Sequence, residues 1–216
     1  MVTWSPLMIT VIDYGMGNLR SVSKALESLG AKVRLTSDPQ DVWAAEKLIL
    51  PGVGAFPAAM QELTLRKLVD PIKSSLAKGT RYLGICLGLQ LLFETSDEGH
   101  GAKGLGIIPG TVARFACDAS SSLKIPHMGW NTIRSPYPPN TPIKCPLLKG
   151  IADDSAVYFV HSYCARPTEQ VVVAMETDYG GKFPSMIWRG NIFATQFHPE
   201  KSQAIGLKLL ENFINL

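Results

Sequence analysis

Apolar and polar positions alternate between two periods along the first half of the chain. Ile9-Thr-Val-Ile-Asp13 is a short β-branched run that reads as a strand, and after Gly15, Gly17 and Asn18 the spacing turns helical as far as Leu29-Gly30. Lys32-Val-Arg-Leu-Thr36 resumes strand character, and Asp38-Pro39 opens a short helical segment. Lys47-Leu-Ile-Leu50 is a further strand, ended by Pro51-Gly-Val-Gly54. From Ala58 to Lys78 the spacing is helical, with Asp70-Pro71 predicted to break it into two pieces. Arg81-Tyr-Leu-Gly-Ile85 is a strand leading into Cys86, and Leu87 to Glu94 has the apolar density of a helix packed on a sheet. Strands alternating with helices require crossover connections and so predict a parallel sheet. In the second half, Thr111–Phe115, Ala156–Val160, Val171–Glu176, Ser185–Trp188 and Asn191–Gln196 are short strand candidates between turns, and Ser202–Leu216 is the one convincing helix. The expected architecture is α/β, a central mostly parallel sheet flanked by helices, with additional antiparallel strands in the C-terminal half.

Composition narrows the function classes. A chain of 216 residues that is 46% hydrophobic and 18% charged fits one large domain able to bury its own core. A net charge of +3 without like-charge runs gives no footprint for nucleic acid or for a membrane surface. The opening segment lacks a basic region followed by a long apolar one, and no stretch is apolar for the length of a membrane span, so a cytoplasmic protein is expected. Cys86, Cys117, Cys145 and Cys164 are too sparse for a disulfide scaffold and include no Cys-x-x-Cys pair. The histidines show no ligand spacing, so neither a metal nor a cofactor is expected. Gly15-Met-Gly17-Asn-Leu-Arg20 departs from a dinucleotide fingerprint at its third glycine, where arginine stands. Asp118 to Ser122 and the proline-rich stretch Ser135 to Pro146 are expected as loops.

Chemistry concentrates at two places. Gly84-Ile-Cys86-Leu-Gly88 sets a cysteine at a strand-to-helix junction between two glycines, a thiol version of the nucleophile elbow. Such a turn lifts the side chain to the carboxyl edge of the sheet, where a helix N-terminus favours the reactive thiolate and the N–H of Leu87 points at a forming oxyanion. Gln196-Phe-His198-Pro-Glu200 follows an apolar strand and offers a base, His198, and a carboxylate, Glu200, to orient it. By itself the second segment reads equally as a surface turn before the last helix.

Taken in order, Pro51-Gly-Val-Gly54, Gly84-Ile-Cys-Leu-Gly-Leu-Gln90 and Gln196-Phe-His-Pro-Glu200 resemble the class I, or triad, glutamine amidotransferases. Asp13-Tyr-Gly-Met-Gly-Asn18, Glu94-Thr-Ser-Asp-Glu-Gly99, His127-Met-Gly-Trp-Asn131, Tyr158-Phe-Val-His-Ser-Tyr163 and Lys201 are similar to segments of the glutaminase subunits of imidazole glycerol phosphate synthases. The resemblance covers residues 8–216, leaving 1–7 as an N-terminal extension, and implies a flavodoxin-like class I glutamine amidotransferase fold. It implies hydrolysis of L-glutamine to glutamate and ammonia through a glutamyl thioester, with Cys86 as nucleophile, His198 as base then acid, and Glu200 orienting His198. Val53 and Leu87 would supply the oxyanion hole. Gly52 and Gly54 would let the Gly52–Val53 peptide turn over to complete it. Gln90 and Glu98 would hold the amino end of glutamine, and backbone around His161, Ser162 and Tyr163 its carboxylate.

Ammonia released into neutral water is protonated and loses its nucleophilic lone pair, and no motif for a second active site is present. The family therefore implies a partner, a (β/α)8-barrel cyclase subunit joined as a heterodimer, which uses ammonia in histidine biosynthesis to form imidazole glycerol phosphate and an aminoimidazole carboxamide ribotide. Asn18, Met128, Trp130, Asn131, Tyr158 and Lys201 are the candidates for that contact face. A glutaminase serving another synthase, a self-sufficient thiol hydrolase of γ-glutamyl bonds, and a non-catalytic flavodoxin-like binding subunit remain as alternatives from sequence alone.

Overall fold

The computed structural model of the chain describes residues 8–115, 123–138, 141 and 145–216. The extension at 1–7, Cys117, the loop at 118–122 and part of the proline-rich stretch lie outside the described residues. In chain order the elements are β1 (Met8–Ile12), α1 (Leu19–Ser28), β2 (Lys32–Thr36), α2 (Pro39–Ala44), β3 (Lys47–Gly52), α3 (Phe56–Leu65), α4 (Val69–Ala77), β4 (Arg81–Cys86), α5 (Leu87–Gln90), β5 (Phe93–Ser96), β6 (Ala102–Lys103), β7 (Ile108–Arg114), β8 (His127–Ile133), β9 (Ser155–His161), β10 (Tyr163–Pro167), β11 (Val173–Asp178), β12 (Lys182–Arg189), β13 (Ile192–Thr195) and α6 (Gln203–Ile214).

A seven-stranded sheet in the order β11-β12-β13-β4-β3-β1-β2 forms the centre. The five strands from β13 to β2 are parallel, and β12 and β11 add antiparallel at one edge. Both faces are covered, and the strand sequences show it. On β3, Leu48 and Leu50 pack with Val42, Phe56, Leu63, Ile72 and Leu76 of α2, α3 and α4. Ile49 between them faces the other way, toward Val22 and Leu26 of α1 and Leu209, Leu210 and Phe213 of α6. Side chains one residue apart on a strand point to opposite faces, so a strand buried on both sides reads as a continuous apolar run.

Smaller additions frame one edge. β10-β7-β5-β6 forms a mixed four-stranded sheet and β8-β9 an antiparallel ribbon. Thus the parallel core with antiparallel additions stands as expected, while several local expectations need correction. The break after α3 falls at Arg66–Leu68, where Lys67 adopts φ 58°, and Pro71 sits inside the first turn of α4. A first-turn proline lacks an N–H that has no helical partner there anyway, so it starts a helix instead of ending one. β3 runs on through Pro51-Gly52 because Gly52 pairs with Cys86. The apolar stretch Leu87–Glu94 is a single helical turn, α5, followed by β5. β5, β6, β8 and β10 carry no strong alternation of their own and were not foreseen. Among the described residues no helix is long and apolar enough to cross a membrane.

Candidate active site

The sheet order assembles the site. β4 lies between β3 and β13, so the ends of these three parallel strands deliver Gly52, Cys86 and Thr195 to one edge. Cys86 has φ 54° and ψ −105°, a conformation that costs a non-glycine residue about 1–3 kcal/mol and is the mark of an elbow. The flanking glycines are dictated by packing. A Cβ on Gly88 would stand 1.9 Å from the Leu50 carbonyl oxygen, and one on Gly84 would stand 2.5 Å from that of Gly88. The expected helix N-terminus beneath the thiol is only one turn long, so little aligned dipole is available.

On the other side, the chain leaves β13 and enters a single 3₁₀ turn at Pro199–Lys201 that presents His198 and Glu200. His198 Nδ1 lies 2.9 Å from Glu200 Oε1, and both side chains are almost wholly buried. A carboxylate only accepts, so Nδ1 carries the hydrogen and the neutral ring keeps a bare Nε2. That Nε2 makes no close hydrogen bond within the described residues, and the group beyond Glu200 that acts on the ring is Cys86. Burial is the largest influence on His198 and lowers its pKa. Cys86 and Glu200 outweigh it, pushing the imidazole up to about 10, so the ring is a ready acceptor for a proton at Nε2.

A cavity of about 340 Å³ opens over the sulfur, lined by Val53, Gly54, Cys86, Leu87, Gln90, Glu98, Pro126, Val160, His161, Ser162 and Tyr163. Most of the residues expected to bind substrate therefore meet in one place. Gly52 is the exception. It is buried behind the wall, where a Cβ would come within 2.5 Å of the Tyr14 hydroxyl and 2.8 Å of Leu87 Cβ. Its role is close packing under the loop. Glu98 accepts from the Phe56 N–H at 2.8 Å, which fixes one carboxylate oxygen. Gln90 donates through Nε2 to the Tyr163 carbonyl at 3.0 Å and to Gln196 Oε1 at 3.2 Å. Gln196, fully buried, brings its own Nε2 to 3.7 Å from Cys86 Sγ. It stands in the His198 motif, and only the fold shows that it touches the thiol.

The His161 ring is oriented from behind. Its Nδ1–H donates to the Tyr163 carbonyl at 2.8 Å, leaving Nε2 to accept from His127 Nδ1 at 3.1 Å. His127 Nε2 in turn lies 3.3 Å from the Asn131 amide. Burial pushes His161 down to about 3 and His127 down to about 4, so both are neutral donors and acceptors.

The contact-face candidates divide. Trp130 and Tyr158 are cross-strand partners with ring centroids 6.0 Å apart, and Lys201 Nζ stands 5.8 Å above the Tyr158 ring. Met128 and Trp130 are 62% and 49% exposed, unusual for such side chains. Asn18 begins α1, which packs against the Pro199–Lys201 turn. Asn131 points inward, its amide nitrogen on Asp178 and His127 and its oxygen accepting from the Thr132 N–H. It supports the binding cavity and leaves the outer face to Met128 and Trp130. Burial raises the thiols of Cys145, to about 12, and of Cys164, which keeps both inert at neutral pH. Among the described residues no three His, Cys, Asp or Glu side chains gather so as to hold a metal.

Comparison with known proteins identifies the family and the fold. The family model described as "Glutamine amidotransferase class-I" matches residues 10–216. The imidazole glycerol phosphate synthase subunit HisH of Syntrophotalea carbinolica is 51% identical over 209 residues, 95% of this chain and 98% of that one. Its counterpart in Aromatoleum aromaticum is 50% identical over 217 residues, 96% and 97% of the two chains. Among solved structures, one described as a glutamine amidotransferase superposes with TM-score 0.71 at 18% identity over 96% of this chain and 99% of that chain. PurLQS from Thermotoga maritima gives 0.70 at 19% identity over 97% and 98%, and both structures speak to the fold alone. With half of its positions shared across nearly the full length of both relatives, and its cysteine raised on the elbow that such a fold provides, the chain belongs to the HisH family of class-I glutamine amidotransferases.

Proposed function

We propose that the protein is the glutaminase subunit of an imidazole glycerol phosphate synthase, hydrolysing L-glutamine and passing ammonia to a cyclase subunit in histidine biosynthesis. The observation that carries this reading is one cavity in which Cys86, backed by the His198–Glu200 pair, faces Gln90, Glu98 and the His161–Tyr163 segment. In the proposed cycle the Cys86 S–H proton moves to His198 Nε2 and the thiolate attacks the carboxamide carbon. The tetrahedral oxyanion is held by the N–H groups of Val53 and Leu87. His198 then returns its proton to the nitrogen, ammonia leaves, and water activated by the same imidazole hydrolyses the thioester. Glu98 supplies negative charge for the substrate ammonium, and the backbone of Ser162 and Tyr163 meets its carboxylate.

The Gly52–Val53 peptide is the element we propose to turn over when the partner is loaded. Val53 is 39% exposed and Gly54 holds φ +111°, which glycine adopts at no steric cost, while buried Gly52 anchors the base of the loop. The partner is expected to be a (β/α)8 barrel seated on Met128, Trp130, Tyr158, Lys201 and Asn18. A diazo ketone analogue of glutamine tests the nucleophile. We expect stoichiometric labelling of Cys86 that the Cys86→Ala variant abolishes, and glutamine turnover that rises steeply when a loaded cyclase subunit is added. Absence of labelling, or full turnover by the isolated chain, would refute the respective halves of the proposal.

A further inference from the structure

The triad and the substrate-binding residues leave Gln196 without a task, although it is fully buried and lies against the nucleophilic sulfur. Its orientation follows from donors and acceptors alone. The Tyr163 carbonyl can only accept, so the Gln90 group 3.0 Å from it is the NH₂. The same NH₂ lies 3.2 Å from the Gln196 side chain, which must offer its oxygen there. The Gln196 NH₂ is thereby turned to Cys86 Sγ at 3.7 Å. Rotating either amide would set two donors or two acceptors face to face where no water can separate them.

Thiol and thiolate use these surroundings differently. The neutral thiol donates its hydrogen toward the Val160 carbonyl at 3.8 Å. Once the S–H bond breaks and the proton is on His198 Nε2, the sulfur is an acceptor and that carbonyl repels it. A donor already in place and screened from water then stabilises the anion without reorganisation. We infer that Gln196 is a further catalytic residue of this site, its side-chain amide hydrogen-bonding the Cys86 thiolate. Because the other end of that amide is held by Gln90, the nucleophile is tied to a residue that faces the substrate. The inference rests on the reading of Cys86 as nucleophile proposed above.

The test is the pH dependence of Cys86 alkylation by iodoacetamide in the full-length protein, with and without the Gln196→Met substitution, which keeps the volume and removes the donor. The midpoint is expected to rise by about one pH unit, with glutamine kcat about tenfold lower and KM changed less than about threefold. A second measurement needs no variant at this position. The ¹⁵N and ¹H shifts of the Gln196 side-chain amide should titrate with the alkylation midpoint in the unaltered protein and stay flat in Cys86→Ala. Superimposable alkylation profiles, or an amide signal that ignores the thiol, would overturn the inference while leaving the nucleophile intact. Failure of Cys86 to alkylate ahead of Cys145 and Cys164 in the unaltered protein would overturn both readings together.

Discussion

At Gly88 a single methyl group decides whether the Cys86 elbow can form, since the added carbon would overlap the Leu50 carbonyl of the neighbouring strand. The obstacle is backbone, which cannot swing aside as a side chain would. Gly88→Ala is expected to destabilise the fold by about 3 kcal/mol or more, beyond ordinary overpacking, as read by urea denaturation. The glycine pair around Cys86 was legible in the sequence because close approach leaves a mark in residue type. The His127–His161 pair was not, because two imidazoles 34 residues apart in sequence leave no such mark. Their pKa values near 4 and 3 make a prediction whose sign is fixed. Between about pH 6.5 and about pH 4 the unfolded chain binds protons that the native rings refuse, so stability rises with pH, by up to about 1.4 kcal/mol per unit for each ring. Thermal melts should therefore fall on acidification below pH 6.5, and His127→Gln should flatten that slope.

Among the elements, helices with a clear apolar stripe and strands with β-branched runs were legible, and their ends less so. Asp38 caps α2 through the Gln40 N–H at 2.8 Å, and Gly30 closes α1 with φ +83°, as their residue types announce. The turn from α5 into β5 was hidden because Leu91, Leu92 and Phe93 are buried whichever structure they adopt. Burial supplies apolar residues to helix and strand alike, and the pairing of β5 with β7 settles the matter. Lys47 shows the same limit. A lysine in β3 reads as solvent-facing, yet it is 1% exposed and donates to the carbonyls of Phe213 and Ile214 at the end of α6. The orphan carbonyls and the negative end of the helix compensate the buried ammonium. Lys47→Met is expected to cost about 1–3 kcal/mol and to loosen α6 first, visible as faster amide exchange in its last turn.

For the molecule as a whole, β8 and β9 form a two-sided device. Their inward residues, His127, Asn131 and His161, brace the binding cavity, and their outward residues, Met128, Trp130 and Tyr158, make the face proposed for the cyclase. Period-2 alternation separates Asn131 from Trp130, and knowledge that this segment is a strand would have placed Asn131 inside. Trp130→Ala should leave glutamine-analogue labelling intact and weaken association with the cyclase subunit by about tenfold or more, measured by calorimetry. By itself the sequence determined the family and the motifs proposed to carry its chemistry: a cysteine between glycines, and a histidine with a carboxylate two residues on. Those features are local, and local sterics and hydrogen bonding demand particular residue types at particular spacings. Only the tertiary structure decided which strands are neighbours, and hence that His198 faces Cys86 across 112 residues of chain, that Gln196 reaches the sulfur, and that Gly52 packs behind the wall. Contacts between distant segments are set by the sheet order and by burial, which many sequences can satisfy, so they leave only a faint trace in any single one.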